Sequence, residues 1–195
     1  MMLKKTTSFF LITYLFGFNF TFSQVKFEKE YRLKIALVPE KAIQIIEKWN
    51  FKKKVKWYAE ESQDGKTIEA KVCHNKHKLS LEFEENGNLI DIEKTVKFSN
   101  LQEDIQKNIE KTLSKRFKKF RIKKVQIQYK GEESAVYNKL FQLKSQHEEI
   151  IPKYEIIVKG KDEKRFQNFE ILFNKNGEIE KELLIKSTDS TNLEF

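Results

Sequence analysis

Cysteine, proline and glycine are all scarce in this chain. Its 195 residues include one cysteine, two prolines and six glycines. The single thiol, Cys73, excludes an internal disulfide framework, so the fold must depend on burial of apolar side chains. The sequence also contains no zinc-protease, phosphate-loop or serine-hydrolase motif. We therefore expect a protein that is not an enzyme and that uses no cofactor and no metal.

The N-terminal residues have the pattern of an export signal. Lys4 and Lys5 precede an apolar run over residues 9–22. Thr21 and Ser23 are small residues at the −3 and −1 positions of a cleavage site after Ser23. An uncleaved membrane anchor is the alternative, but the run is shorter than the roughly 20 residues that cross a bilayer. We predict that residues 1–23 are a cleaved signal peptide and that the mature protein is periplasmic or secreted.

One phrase of the sequence occurs twice. FEENGNLI at residues 83–90 returns in altered form as FNKNGEIE at residues 173–180. Asn-Gly favours a tight hairpin turn, and we predict type I′, in which both central residues have positive φ. Alternating apolar residues, which are typical of a strand with one buried face, precede each turn. They are Leu79, Leu81 and Phe83 in the first copy and Phe169, Ile171 and Phe173 in the second.

The repeated hairpin predicts a repeated unit. Residues 42–49 and 105–113 carry apolar side chains at helical spacing, each upstream of alternating segments. The predicted fold class is α+β, with two tandem units, each a helix packed on one face of a four-stranded antiparallel meander and the other face open. The units are residues 24–98 and 99–187, the second with an insertion near 131–152. Residues 188–195 form a C-terminal tail.

The segments KKVKWYAEES (53–62) and LSLEFEENGNLIDIEK (79–94) resemble the PepSY-like family of secreted bacterial proteins. That family is related in fold to beta-lactamase inhibitory protein (BLIP). The resemblance covers most of residues 38–98 and, more loosely, 101–186. It implies a concave sheet that binds proteins, and PepSY modules elsewhere are associated with restraining secreted peptidases. The matching residues are Val55, Trp57, Glu69, Ala70, Phe83, Gly87 and Glu93.

Two clusters invite a chemical interpretation. Cys73, His74 and His77 have side chains that bind zinc, but they fall where a hairpin must turn, so we expect solvated turn residues. Alternation points Cys73 away from the core, and this position is compatible with an intermolecular disulfide or with a reactive thiol.

Residues 115–124 are densely basic with Phe117 and Phe120 interleaved. This pattern fits a surface that binds nucleic acid, a surface that binds an anionic envelope or polysaccharide, or a solvated junction whose two phenylalanines enter the core. We expect no nucleic acid.

The insertion and the acidic pairs have ordinary structural interpretations. Val136 with Leu140, and Tyr137 with Phe141, are spaced as in a short amphipathic helix, which packs on the core or forms a partner-contacting lid. Adjacent glutamates such as Glu60 and Glu61 point to opposite faces of a strand and cannot act as a catalytic pair.

Alternation also predicts which side chains occupy the open sheet face. The face is mostly polar, with Tyr58, Ile157 and Leu172 as apolar exceptions, and such a mixture is typical of protein-binding patches. We predict a non-enzymatic protein-binding module whose partner is an envelope or extracellular protein, and inhibition of a hydrolase is its sharpest form. The alternative is a basic module that adheres weakly to anionic envelope lipid or polysaccharide. The predicted partner-binding residues are Lys56, Tyr58, Lys71, Gln126, Gln128, Ile157 and Leu172.

Overall fold

The part of the chain that the structure describes contains ten strands, three α-helices and two short 3-10 helices, Ile35–Leu37 and Phe98–Asn100. The computed structural model describes residues 24–62, 65–143, 150–163 and 165–186; the predicted signal peptide and C-terminal tail lie outside them. The helices are α1 (Glu40–Trp49), α2 (Glu103–Arg116) and α3 (Glu133–Phe141). The strands are β1 (Gln24–Lys26), β2 (Glu28–Arg32), β3 (Lys56–Ser62), β4 (Gly65–His74), β5 (His77–Phe83), β6 (Leu89–Val96), β7 (Phe120–Tyr129), β8 (Lys153–Asp162), β9 (Arg165–Phe173) and β10 (Ile179–Ile185). None of these helices is long and apolar enough to cross a membrane.

All ten strands belong to one sheet, in the order β1-β10-β9-β8-β7-β6-β5-β4-β3-β2. The strand β1 pairs parallel with β10 at one edge, and β2 pairs antiparallel with β3 at the other. Only Phe27 separates β1 from β2, so the two edges of the sheet are consecutive in the chain. The sheet therefore curls round until it is nearly closed, in the manner of a barrel.

This architecture corrects the predicted fold class. Two tandem units, each a helix on its own four-stranded meander with an open face, are not what the chain forms. The strands β6 and β7 pair directly, with Ile92 opposite Tyr129, and join all the strands into one sheet. The N-terminal segment then bridges both edges. Side-chain alternation predicts strands and their faces, but it does not predict which edges of a sheet will meet.

The two repeated phrases form the hairpins β5–β6 and β9–β10, as predicted. The turn type differs from the prediction. Among the residues of the first turn only Gly87 has positive φ, at 85°, and Gly87 N–H donates to Glu84 O at 2.8 Å. Asn86 keeps a negative φ and accepts a hydrogen bond on Oδ1 from Asn88 N–H at 2.9 Å. The loop is thus a three-residue turn in which glycine alone is left-handed, rather than type I′.

The helices pack on the outer face of the sheet over two hydrophobic cores. Residues of α1 and α3 contribute to the first core, and residues of α2 contribute to the second. Each repeated turn touches a helix, since a Cβ on Gly87 would lie 2.9 Å from the backbone nitrogen of Ala42, and one on Gly177 would lie 2.9 Å from Cβ of Asn108. The geometry that the two turns share is therefore part of how α1 and α2 pack on the sheet.

The insertion contains the predicted helix, and it packs on the core. Val136 of α3 is fully buried in the first core. The rings of Tyr137 and Phe141 lie 5.4 Å and 6.3 Å from that of Trp49 in α1. The insertion thus extends the first core over the outer face.

The basic run has the structure of a junction between α2 and β7. Phe117 is buried and Phe120 packs against the same second core. Arg116 donates to Glu182 at 2.8 Å and lies 3.4 Å from Asp162, so its charge is used in a local ion-pair network. Cys73 is exposed, and His74 packs edge-on against Phe141 at 4.9 Å.

Candidate functional site in the inner cavity

The face of the sheet opposite the helices lines a cavity of about 630 Å³. Alternation explains its polarity, because β4 sends Ile68 and Ala70 outward to the core and Glu69 inward. Several lining lysines, among them Lys97, Lys123 and Lys186, are exposed and mark where the cavity meets solvent. Eight glutamates from seven strands line the inner cavity: Glu28, Glu30, Glu60, Glu69, Glu82, Glu93, Glu155 and Glu170.

Lys71 balances the charge of one part of the inner cavity. Its Nζ lies 2.5 Å from Glu30 Oε2 and 3.0 Å from Glu69 Oε2. The hydroxyl of Ser80 donates to the other oxygen of Glu69. Lys71 also lies 4.8 Å from the ring centroid of Tyr58. These contacts hold the ammonium group between two carboxylates, one on β2 and one on β4.

Lys26 does the same where the sheet closes. Its Nζ lies 2.6 Å from Glu170 Oε2 and also pairs with Glu28. Burial alone would lower the pKa of Lys26, but the neighbouring carboxylates of Glu170 and Glu155 raise it above its usual value. The ammonium therefore stays charged inside the sheet.

Another part of the inner cavity contains a cluster of three acids, here called the acidic triad: Glu82, Asp91 and Glu93. One carboxylate oxygen of each residue lies within 4.8 Å of the others. Amides surround it: Gln126 Nε2 donates to Glu93 at 2.5 Å, and Gln128 Nε2 donates to Asp91 Oδ2 at 3.0 Å. The other oxygen of Asp91 and the amide oxygen of Gln126 are buried, and within the described ranges neither has a hydrogen-bond donor.

Burial shifts the titration of the acids in the inner cavity. It raises the pKa values of Glu82 and Glu93 well above the usual range, because a buried carboxylate loses its hydration. Burial, reinforced by the charge of Glu170, raises the pKa of Glu155 to about 7. The pKa of Asp91 rises to about 6 for the same primary reason. The cavity therefore changes its charge in the physiological pH range.

The seven predicted partner-binding residues all lie on strands and share the inner face. Lys71, Gln126 and Ile157 line the cavity itself. Tyr58, Gln128 and Leu172 are half-buried, and Lys56 is exposed at the start of β3. Alternation thus grouped them on one face, but that face encloses a cavity where an open surface was expected. Their role in binding a partner stays a prediction.

The acidic lining was missed at the sequence level. Glutamates at the polar positions of successive strands were the available signal, as with Glu69 opposite Glu82 and Glu60 opposite Glu30. A polar position of a strand reads as solvent-facing unless the sheet is known to close. To tell a solvent-facing polar position from one that faces an enclosed cavity, the order of the strands in the sheet must be known, and side-chain alternation does not predict that order.

Two solved structures are similar in fold to this chain. A DUF2874 family protein from Bacteroides ovatus aligns with a TM-score of 0.51, covering 75% of this chain and 87% of its own, at 15% sequence identity. A BLIP-like protein from Bacteroides fragilis aligns with a TM-score of 0.50, covering 80% of this chain and 92% of its own, at 16% identity. At these identities the likeness shows the fold alone. It supports the BLIP-like fold and does not confirm the PepSY-like family.

Comparison of the sequence with protein-family models and with curated proteins finds no match.

Proposed function

We propose that the protein is an exported, non-enzymatic module that binds another protein of the cell envelope or the extracellular space. The observation that carries this proposal is the likeness in fold to a BLIP-like protein over 80% of the chain. Restraint of a hydrolase is the sharpest form of the proposal. Export rests on the N-terminal signal pattern of residues 1–23.

The enclosed inner face limits how a partner would bind. Tyr58, Ile157 and Leu172 are half-buried there, so a broad partner surface cannot cover them all. A loop or a chain end of the partner, entering where Lys97, Lys123 and Lys186 meet solvent, would reach the interior. Apolar contact with Ile157 inside a polar surround would then supply the desolvated centre of the interface.

A pull-down with the immobilised protein, from periplasmic extract and from culture medium, tests the proposal. The triple variant Tyr58→Ala, Ile157→Ser, Leu172→Ser should lose the partner that the wild-type protein captures. The matched control is Ile35→Ser with Leu37→Ser, which removes two side chains that are 62% and 67% exposed away from the inner face. Retention of the partner by the triple variant, with the fold intact by circular dichroism, would contradict the proposed surface.

A second candidate function is adhesion to anionic envelope lipid or polysaccharide. It is favoured by the exposed cations of the α2–β7 junction, namely Lys115, Lys118, Lys119, Arg121 and Lys123. Vesicles containing phosphatidylglycerol separate the two candidates, because electrostatic adhesion fades steeply between about 0.05 M and 0.5 M salt, whereas a desolvated apolar contact does not. Salt-resistant capture of a protein, with no vesicle binding, would exclude adhesion.

A further inference from the structure

The acidic triad differs from the other buried carboxylates in how its charge is balanced. A second group with the same spacing, Glu30, Glu60 and Glu69, also has oxygens within 4.8 Å of one another. Lys71 forms salt bridges with two members of that second group. In the part of the chain that the structure describes, no lysine or arginine forms a salt bridge with Glu82, Asp91 or Glu93.

The side chains around the acidic triad leave acceptor atoms unused. Asp91 is only 4% exposed, and its Oδ1 has no donor among the described residues, although Oδ2 accepts from Gln128. Gln126 is 3% exposed and uses its nitrogen on Glu93, which leaves its buried carbonyl oxygen without a donor as well. A buried acceptor without a partner costs about 1–3 kcal/mol. One such oxygen on Asp91 itself and one on the neighbouring Gln126 indicate a site for a positive charge.

The donor set defines the chemistry of that charge. The acidic triad offers three carboxylates from the adjacent strands β5 and β6, with an amide oxygen close by, and no thiolate or imidazole. Oxygen-only sets select hard cations. Ca²⁺ tolerates six to eight oxygens in flexible geometry, whereas Mg²⁺ demands near-ideal octahedral geometry and retains its water. Glu82 and Glu93 line the inner cavity, so an ion and its remaining water ligands have a route to them.

We propose that Glu82, Asp91 and Glu93 bind a Ca²⁺ ion inside the sheet. The ion neutralises the acidic triad, as Lys71 neutralises the group of Glu30, Glu60 and Glu69. It also links β5 to β6, the two strands of the hairpin that contacts α1. This site goes beyond the proposed protein-binding function and requires no partner.

Calorimetric titration of CaCl₂ into chelator-treated protein tests the site. The titration is run at about pH 8, because burial favours the protonated acids at lower pH. The wild-type protein should bind one ion per chain and melt at a higher temperature with Ca²⁺ than with chelator, since a ligand that binds only the folded state stabilises it. MgCl₂ in the same titration should give at least about tenfold weaker binding.

Two variants and a matched control locate the ion. Asp91→Asn and Glu82→Gln keep side-chain shape, and each should weaken Ca²⁺ binding at least about tenfold. Glu60→Gln changes an acid of the same inner cavity that belongs to the group held by Lys71, and it should bind as the wild type does. Unchanged Ca²⁺ binding in Asp91→Asn and Glu82→Gln would overturn the proposal. So would the absence of saturable binding by the wild-type protein up to about 10 mM Ca²⁺, which is about ten times the weakest dissociation constants of extracellular calcium sites. The pull-down result cannot affect this measurement, because no partner is present.

Discussion

Lys26 Nζ lies 2.6 Å from Glu170 Oε2, which connects the short strand β1 to β9 across the intervening strand β10. Both side chains are largely buried, at 17% and 13% exposure. The parallel pairing of β1 with β10 spans only three residues, so backbone hydrogen bonds alone hold this edge weakly. The ion pair therefore contributes to keeping the sheet closed.

Lys26→Met should destabilise the protein by about 2–4 kcal/mol, because Glu170, whose side chain is only 13% exposed, and the half-buried Glu28 would lose their cation. Urea unfolding followed by circular dichroism measures this loss. The double variant Lys26→Met, Glu170→Gln should recover part of it, since the uncompensated charge is gone. Lys107→Met is the control: its pair with Glu103 is 70% and 81% exposed, and its loss should cost less than about 0.5 kcal/mol. An equal effect of Lys107→Met would contradict the closure role of Lys26.

Gly87→Ala should destabilise the protein more than Gly65→Ala. Both glycines have positive φ, 85° and 123°, so both substitutions strain the backbone by about 1–3 kcal/mol. Only at Gly87 would the new Cβ also meet α1, at 2.9 Å from the backbone nitrogen of Ala42; at Gly65 it meets nothing within 4 Å. Thermal unfolding of the two variants measures the difference. Equal melting temperatures would show that the turn does not position the helix.

The sequence predicts the local features of this structure but not the closure of its sheet. The Asn-Gly pairs and the alternation in β5 and β9 correctly located both hairpins, because turn chemistry and one-sided burial are local properties. The alternation in β4 also assigned Ile68 and Glu69 to opposite faces, as the structure has them. The alternation could not show whether the polar face lies in solvent or lines an enclosed cavity, because polar side chains are found in both environments.

Closure of the sheet depends on contacts that leave no local signal. A three-residue strand such as β1, paired with residues near the far end of the chain, has no period to detect. The acidic triad was invisible for the same reason. Asp91 and Glu93 are ordinary polar positions of β6 until β7 and β8 curve round and remove them from water.

Stability should rise as the pH falls from about 8 to about 5.5, the reverse of ordinary acid denaturation. The folded-state pKa of Glu155 is raised to about 7 and that of Asp91 to about 6, against about 4 in the unfolded chain. The folded protein therefore binds more protons in this window, and stability present at low pH is lost as the pH rises through these values. The loss is on the order of 3 kcal/mol for Glu155. His74, whose pKa burial lowers, opposes the trend.

Melting temperatures across this pH range, in chelator, test the reversed trend. Glu155 faces Glu170, Glu93, Lys26 and Lys124. Of these, the two lysines and the hydrogen bond with Glu93 limit the rise of its pKa. Glu155→Gln should flatten the profile, whereas Glu85→Gln, at an exposed turn position, should leave it unchanged. A melting temperature that increases towards pH 8 in the wild-type protein would refute the assignment of protons to the inner cavity.

Gly160→Ala should be among the most destabilising single substitutions on β8, and its cause should be Phe117. The new Cβ would lie 2.6 Å from two ring carbons of Phe117, which is 2% exposed and packs against Phe169 at 5.0 Å. Gly160 has no positive φ, so the cost is steric. Phe117→Leu alone leaves a cavity and should cost about 1–3 kcal/mol, but the double variant should be more stable than the sum of the single changes predicts, by about 1 kcal/mol or more. Additive losses in urea unfolding would show that the cost of Gly160→Ala does not come from contact with the Phe117 ring.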